Sequence, residues 1–160
     1  VQYSKFKWLE QAIEIDPFNS KYFFWIDAGA SRHFGDFDIN KEFPSQESLV
    51  ELDKVGSKFL VQLNMDISFC MDIALAENLT EKYLWDARSI TCGSFFGGEV
   101  NAVKDICKEV DDVWINKMIN KNLVNNEQIA LAYLLKTKSD MFVEYKRYNG
   151  RHMDIFTELS

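Results

Sequence analysis

Apolar positions recur along the chain in more than one rhythm. In KFKWLEQAIEI, residues 5–15, Phe6, Leu9 and Ile13 fall on one face with Trp8 and Ala12 beside them. That three- and four-residue spacing predicts an amphipathic helix. Asp16-Pro17 ends it, because proline restricts its predecessor and has no N–H to continue the ladder. YFFWI, residues 22–26, is apolar without interruption. A short continuous run predicts a central strand buried on both faces, as in a parallel sheet covered by helices. Residues 33–44 read as loop, and Ser45 to Val55 as a helix carried by Leu49 and Leu52. KFLVQL, residues 58–63, reads as a strand, and residues 66–87 fit no single pattern. SITCGSFFGG, residues 89–98, reads as a strand breaking into a glycine-punctuated loop. Asn101 to Lys121 is the clearest helix, with Ala102, Val103, Ile106, Cys107, Val110, Val113, Trp114 and Met118 as its stripe. A helix opening near NNEQ carries Ile129, Leu131, Ala132, Leu134 and Leu135. It is apolar almost all round, which predicts deep burial. MFVEY, residues 141–145, reads as a last strand. Strands alternating with helices predict an α/β layered domain spanning residues 1–160.

Composition narrows the function classes. The 160 residues are 47% hydrophobic and 27% charged, as in a globular domain with a real core. Thirteen Phe, six Tyr and four Trp fit a heavy core or stacking surfaces for sugars and bases. The net charge of −7, with no basic stripe, argues against a primary role on nucleic acid. Cys70, Cys92 and Cys107 lack the spacing of a disulfide framework and read as buried thiols. Two histidines and no CxxC argue against structural zinc. No apolar run is long enough to span a membrane. The chain begins at Val1 and enters a helical pattern directly, which predicts that an upstream portion is missing.

Three stretches carry candidate chemistry. Asp27 closes the apolar run, followed by Ala28 and Gly29. Ligands of open α/β sheets bind beyond the carboxyl ends of strands. An aspartate there can hold a hard divalent cation, Mn²⁺ or Mg²⁺, which neutralises a departing diphosphate. Arg32 follows closely and can fork onto a phosphate. Equally, Asp27 can simply cap the next turn. In GSFFGG, Gly93, Gly97 and Gly98 permit close backbone approach, and Phe95 or Phe96 offers a flat face to a sugar. Read alone, that stretch is better explained by a tight turn with two core phenylalanines. In NNEQ, Asn125 or Asn126 suits an N-cap and Glu127 suits the first turn. The functional alternative has Glu127 and Gln128 reaching into a cleft to hold sugar hydroxyls or the attacking hydroxyl. His33 and His152 are either additional metal ligands or loop histidines without a role.

The order SKFKWLEQAIEIDPFNSKYFFWIDAGASR, GSFFGG and NNEQIALAYLLKTKSDMF resembles the HtrL/YibB family, also called WlaTC/HtrL, which is associated with lipopolysaccharide-core and surface-glycan gene clusters. More distantly it resembles nucleotide-sugar glycosyltransferases of the GT-A type. The resemblance implies a GT-A-like mixed sheet flanked by helices, lacking its N-terminal part. It implies a cytoplasmic enzyme, open to peripheral contact with the inner membrane face. The donor would be a nucleotide-diphospho-sugar and the acceptor a glycan such as lipopolysaccharide core. Asp27 matches the family's WIDAG acid, Gly97 and Gly98 its glycine pair, and Glu127 and Gln128 its Glu-Gln. Asp27 would then work through the metal, with Glu127 near the acceptor. The usual GT-A Asp-x-Asp is here Asp27-Ala28-Gly29. The rival expectation is a non-catalytic glycan- or protein-binding module on a degenerate transferase fold. Either way, Asp27, Gly97 or Gly98, and Glu127 are expected to converge on one cleft.

Overall fold

The computed structural model describes residues 2–33, 40, 42–64, 90–123, 126–146 and 159, with the side chains of residues 31–33, 145 and 146 outside that description. Helix α1 spans Ser4–Ile15 and strand β1 spans Tyr22–Ile26. A 3-10 helix follows at Ala28–His33, opened by the Ala30 N–H donating to the Asp27 carbonyl at 2.8 Å. Helix α2, Gln46–Val55, has Ser45 as its N-cap, whose hydroxyl accepts from the Ser48 N–H at 3.2 Å. Gly56 ends it at φ +67°, the conformation that glycine adopts without penalty. Strand β2 is Phe59–Leu63 and β3 is Thr91–Glu99. Helix α3, Val100–Asp112, starts where the Glu99 carboxylate accepts from the Asn101 N–H at 2.9 Å. It continues through a π-helical segment, Val113–Met118, and a 3-10 turn, Ile119–Lys121. Helix α4 is Glu127–Thr137, and β4 is Phe142–Lys146. The unpatterned stretch at residues 66–87 lies outside the described residues.

The four strands form one mixed sheet in the order β1-β3-β2-β4. β3 is antiparallel to both β1 and β2, and β4 is parallel to β2. Period-two alternation divides the side chains between two cores. Phe59, Val61, Leu63 and Phe96 face α1, α3 and α4, together with Phe6, Leu9, Ile106, Leu131 and Leu134. Leu60, Cys92 and Phe95 face the other way, against Leu52 of α2 and Leu159. Full burial of a side chain such as Phe59 or Phe96 contributes about 1.5–3 kcal/mol. Helix α4 is buried from Ile129 to Leu135, as its all-round apolar pattern predicts.

Two expectations are corrected. β1 has the predicted bounds, yet it is an edge strand among the described ones and pairs antiparallel with β3. Its residues are only half-buried, and Ile26 is 42% exposed. Its apolar run arises because Phe23 and Trp25 pack on one core while Tyr22 and Phe24 pack on the other. The GSFFGG stretch is strand throughout, not a loop. Gly97 and Gly98 hold φ +156° near the carboxyl end of β3, where neighbouring strands close in from both sides. A Cβ on Gly97 would meet the Phe23 carbonyl oxygen and stand 2.7 Å from the Phe24 Cα. One on Gly98 would stand 2.8 Å from the Lys58 carbonyl oxygen.

Candidate functional site

The register of β3 against β2 breaks once. Val61 pairs with Phe96 but Leu63 pairs with Thr91, so β3 spends five residue steps where β2 spends two. The extra residues of such a bulge leave the ladder and turn their backbone groups elsewhere. Gly93 lies in this bulge, and its carbonyl oxygen accepts from the Lys5 ammonium at 2.8 Å. Ser94, also in the bulge, accepts from the Asp27 N–H at 2.9 Å, which ties the end of β1 to the same place.

Lys5 is the hub. It stands on the apolar face of α1, four residues before Leu9, and its side chain is 11% exposed. Nζ donates to Glu127 Oε1 at 2.7 Å and contacts Asp27 Oδ1 and Oδ2 at 3.1 and 3.2 Å. Glu127, Asp27 and the Gly93 carbonyl thus match the three donors of an ammonium group. Asp27 Oδ1 also accepts from the Trp25 indole N–H at 2.7 Å, and Nζ lies 5.8 Å from the centroid of that ring. Asp27 keeps 36% of its side chain exposed, whereas Glu127 is 2% exposed. Glu127 opens α4, where the helix dipole favours an acid. Its second oxygen, Oε2, is buried without a hydrogen-bond partner among the described residues. Gly93 lets it come close: a Cβ there would stand 2.6 Å from Glu127 Oε1 and 3.2 Å from the Gln128 Cγ. Tyr3 closes the floor. Its hydroxyl lies 3.1 Å from the Asn126 carbonyl, and its ring stacks on Trp114 at 3.7 Å. Burial, helped by the Glu127 charge, pushes the Tyr3 phenol well above its ordinary value.

Two acids, separated by most of the chain, therefore meet at the carboxyl end of β1. Of the other expected residues, Phe95, Gly97, Gly98 and Gln128 do not join them. Phe95 is 1% exposed, stacked on Phe24 at 5.3 Å in the α2-side core, so no sugar can lie on it. Gly97 and Gly98 pair with Phe24 and Phe23, farther along β1 from its end. Their spacing reflects strand packing, and Gly93 is the glycine of the site. Gln128 latches α4 to β3 instead of reaching out: its amide donates to the Thr91 carbonyl, and the Thr91 hydroxyl donates to the Gln128 carbonyl at 3.3 Å. Arg32 and His33 belong to the 3-10 helix by backbone, their side chains lying outside the description, and His152 lies outside the described residues. Sequence reasoning passed over Lys5, whose one signal was a charge at a stripe position of α1.

The donor set does not suit a divalent cation at Asp27. Both carboxylate oxygens already face an ammonium, and one also faces an indole N–H. A metal there would stand beside a like charge. Among the described residues, no cluster of three or more His, Cys, Asp or Glu is placed to hold a metal ion. Likewise, no helix of the described residues is long and apolar enough to cross a membrane. Comparison with known proteins adds no relative: no family model, no curated protein and no solved structure matches the chain.

Proposed function

We propose that this chain acts as a glycosyltransferase that moves a sugar from a nucleotide-diphospho-sugar to a surface glycan on a GT-A-like fold. The observation that carries this reading is the meeting of Asp27 and Glu127 around Lys5 at a strand's carboxyl end. Asp27 is the carboxylate open to solvent, and so it is the group that meets the acceptor. The acceptor hydroxyl donates to Asp27, and its oxygen bonds to the anomeric carbon. The bond from that carbon to the diphosphate breaks, the nucleoside diphosphate leaves, and the hydroxyl proton passes to Asp27. The transition state is oxocarbenium-like. Lys5 and Trp25 hold Asp27 in orientation. Glu127 acts through Lys5 as a positioning residue, and Arg32, just beyond Asp27, is assigned to the diphosphate. No step is routed through a metal.

The test is nucleoside diphosphate release from a panel of UDP-, GDP-, ADP- and TDP-sugars, with lipopolysaccharide-core acceptor, in Mn²⁺ or in EDTA. Release in both media, lowered about 100-fold or more by Asp27→Asn, is expected for loss of a general base. No release from any donor, or release untouched by Asp27→Asn, defeats the reading. Release that strictly needs Mn²⁺ would return the metal to the site and overturn the roles of Asp27 and Lys5. One observation favours the rival, a non-catalytic module on a degenerate transferase fold: all three donors of Lys5 are engaged within the protein.

A further inference from the structure

We propose that Trp8, with Asp27 beside it, forms a binding platform for a neutral sugar ring. Trp8 lies off the buried stripe of α1 and is 49% exposed. It is nonetheless held in place, because its ring stacks on Trp25 at 5.5 Å with 22° between planes. Trp25 in turn donates its indole N–H to Asp27 at 2.7 Å. An exposed flat ring and a partly exposed carboxylate are thus fixed relative to each other through one shared indole. A pyranose presents the matching pair, an apolar C–H face for the ring and hydroxyl donors for the carboxylate.

Charge selects the class of ligand. Among the described groups of the site, two carboxylates face one ammonium, leaving a net negative charge, and the whole chain carries −7. A phosphate in direct contact with Asp27, rather than held apart from it by Arg32, would meet its own sign, while a neutral glycan would not. Trp8 is therefore assigned to a neutral sugar rather than to the base of a nucleotide. The assignment stands whether or not the chain transfers sugar, and its test contains no donor.

The experiment is an array of neutral hexose oligosaccharides, followed by titration of the best-retained one by tryptophan fluorescence. Trp8→Leu keeps an apolar contact on Trp25 but removes the flat face, and Trp8→Tyr keeps a flat face. Trp8→Leu is expected to weaken binding about tenfold, and Trp8→Tyr to stay within about threefold of the parent chain. Asp27→Asn, which loses the acceptor charge, is expected to weaken binding as well. Uridine and UMP are expected not to displace the glycan. The assignment is overturned if no neutral glycan is retained, if Trp8→Leu binds like the parent chain, or if the nucleoside competes. Thermal melts of the Trp8 variants establish folding, and should Trp8→Leu melt early, Trp8→Gln, which also lacks a flat face and suits a half-exposed helix position, is titrated in its place with the same two outcomes.

Discussion

Lys5 sets the terms at the scale of single residues. An ammonium buried on a helix face costs several kcal/mol in desolvation, offset only by well-placed acceptors. Here the acceptors come from three other places in the chain: Asp27 after β1, Gly93 in β3 and Glu127 on α4. Removing the cation leaves Glu127 buried beside Asp27 with nothing to balance it. Lys5→Met should therefore destabilise the fold by about 3–5 kcal/mol. Adding Glu127→Gln should recover much of that loss, because the remaining amide needs hydrogen bonds but no counter-charge. Urea denaturation of the parent, both single variants and the double variant measures the coupling. Additive losses would mean that the two groups do not interact in solution. Asp27 and Glu127 were legible in the sequence, since an acid ending an apolar run and an acid opening a helix are local signals. Lys5 was not, because its partners are set by tertiary contact. A lysine at a stripe position ordinarily reads as a long side chain reaching back to water.

Strand β3 shows where local reading stops at the scale of elements. Apolar spacing and short apolar runs located the described helices and strands closely, including α2 over Ser45 to Val55, whereas its Ser45 cap and Gly56 stop emerged only from the structure. Pairing partners were not legible, because a period of two says which face a residue takes and nothing about the neighbouring strand. The glycine pair misled for the same reason. Sequence shows only that a backbone may be approached, and the approaching group proved to be β1 and β2 rather than a ligand. Glycine substitutions separate these roles. Gly56→Ala meets no atom within 4 Å, but its φ of +67° with ψ −145° is a backbone region almost reserved for glycine, so the cost is about 1–3 kcal/mol of backbone strain. Gly97→Ala drives a methyl into the β1 backbone and should cost more than Gly56→Ala, measured as a larger drop in Tm. A Gly97→Ala chain that melts normally but loses ligand would restore the sugar-loop role. Gly93→Ala is expected to act differently again. Its Cβ would press on the Glu127 carboxylate, a movable group, so sugar transfer should fall while the melt shifts less than for Gly97→Ala.

At the scale of the whole molecule the sheet carries a core on each face, and a buried thiol lies in each. Cys107 sits among α1, α3 and α4, its thiol 3.5 Å from the Phe6 carbonyl, and Cys92 sits on the α2 side. Burial raises both thiols and pushes Cys107 up to about 12, from an ordinary value of 9.0. The sign follows from linkage. Below pH 9 the thiol is protonated in folded and unfolded chains alike, so stability is unaffected. Between about 9 and 12 the unfolded chain releases the proton while the folded chain keeps it, so stability falls as pH rises, by up to about 1.4 kcal/mol per pH unit. Urea denaturation at several pH values from 8 to 10.5 should show this slope in the parent chain and a smaller one in Cys107→Ala. That difference removes the contribution of the buried Tyr3 and of the lysines, which both chains share. The same two thiols report whether the layers open together. In a Cys70→Ser background, iodoacetamide at pH 8 should modify Cys92 and Cys107 at one common slow rate, because a single sheet forms a wall of both cores and must open to expose either. Faster labelling of Cys92 would mean that α2 lifts from the sheet while the Lys5 network stays intact. The candidate site would then rest on the larger core alone.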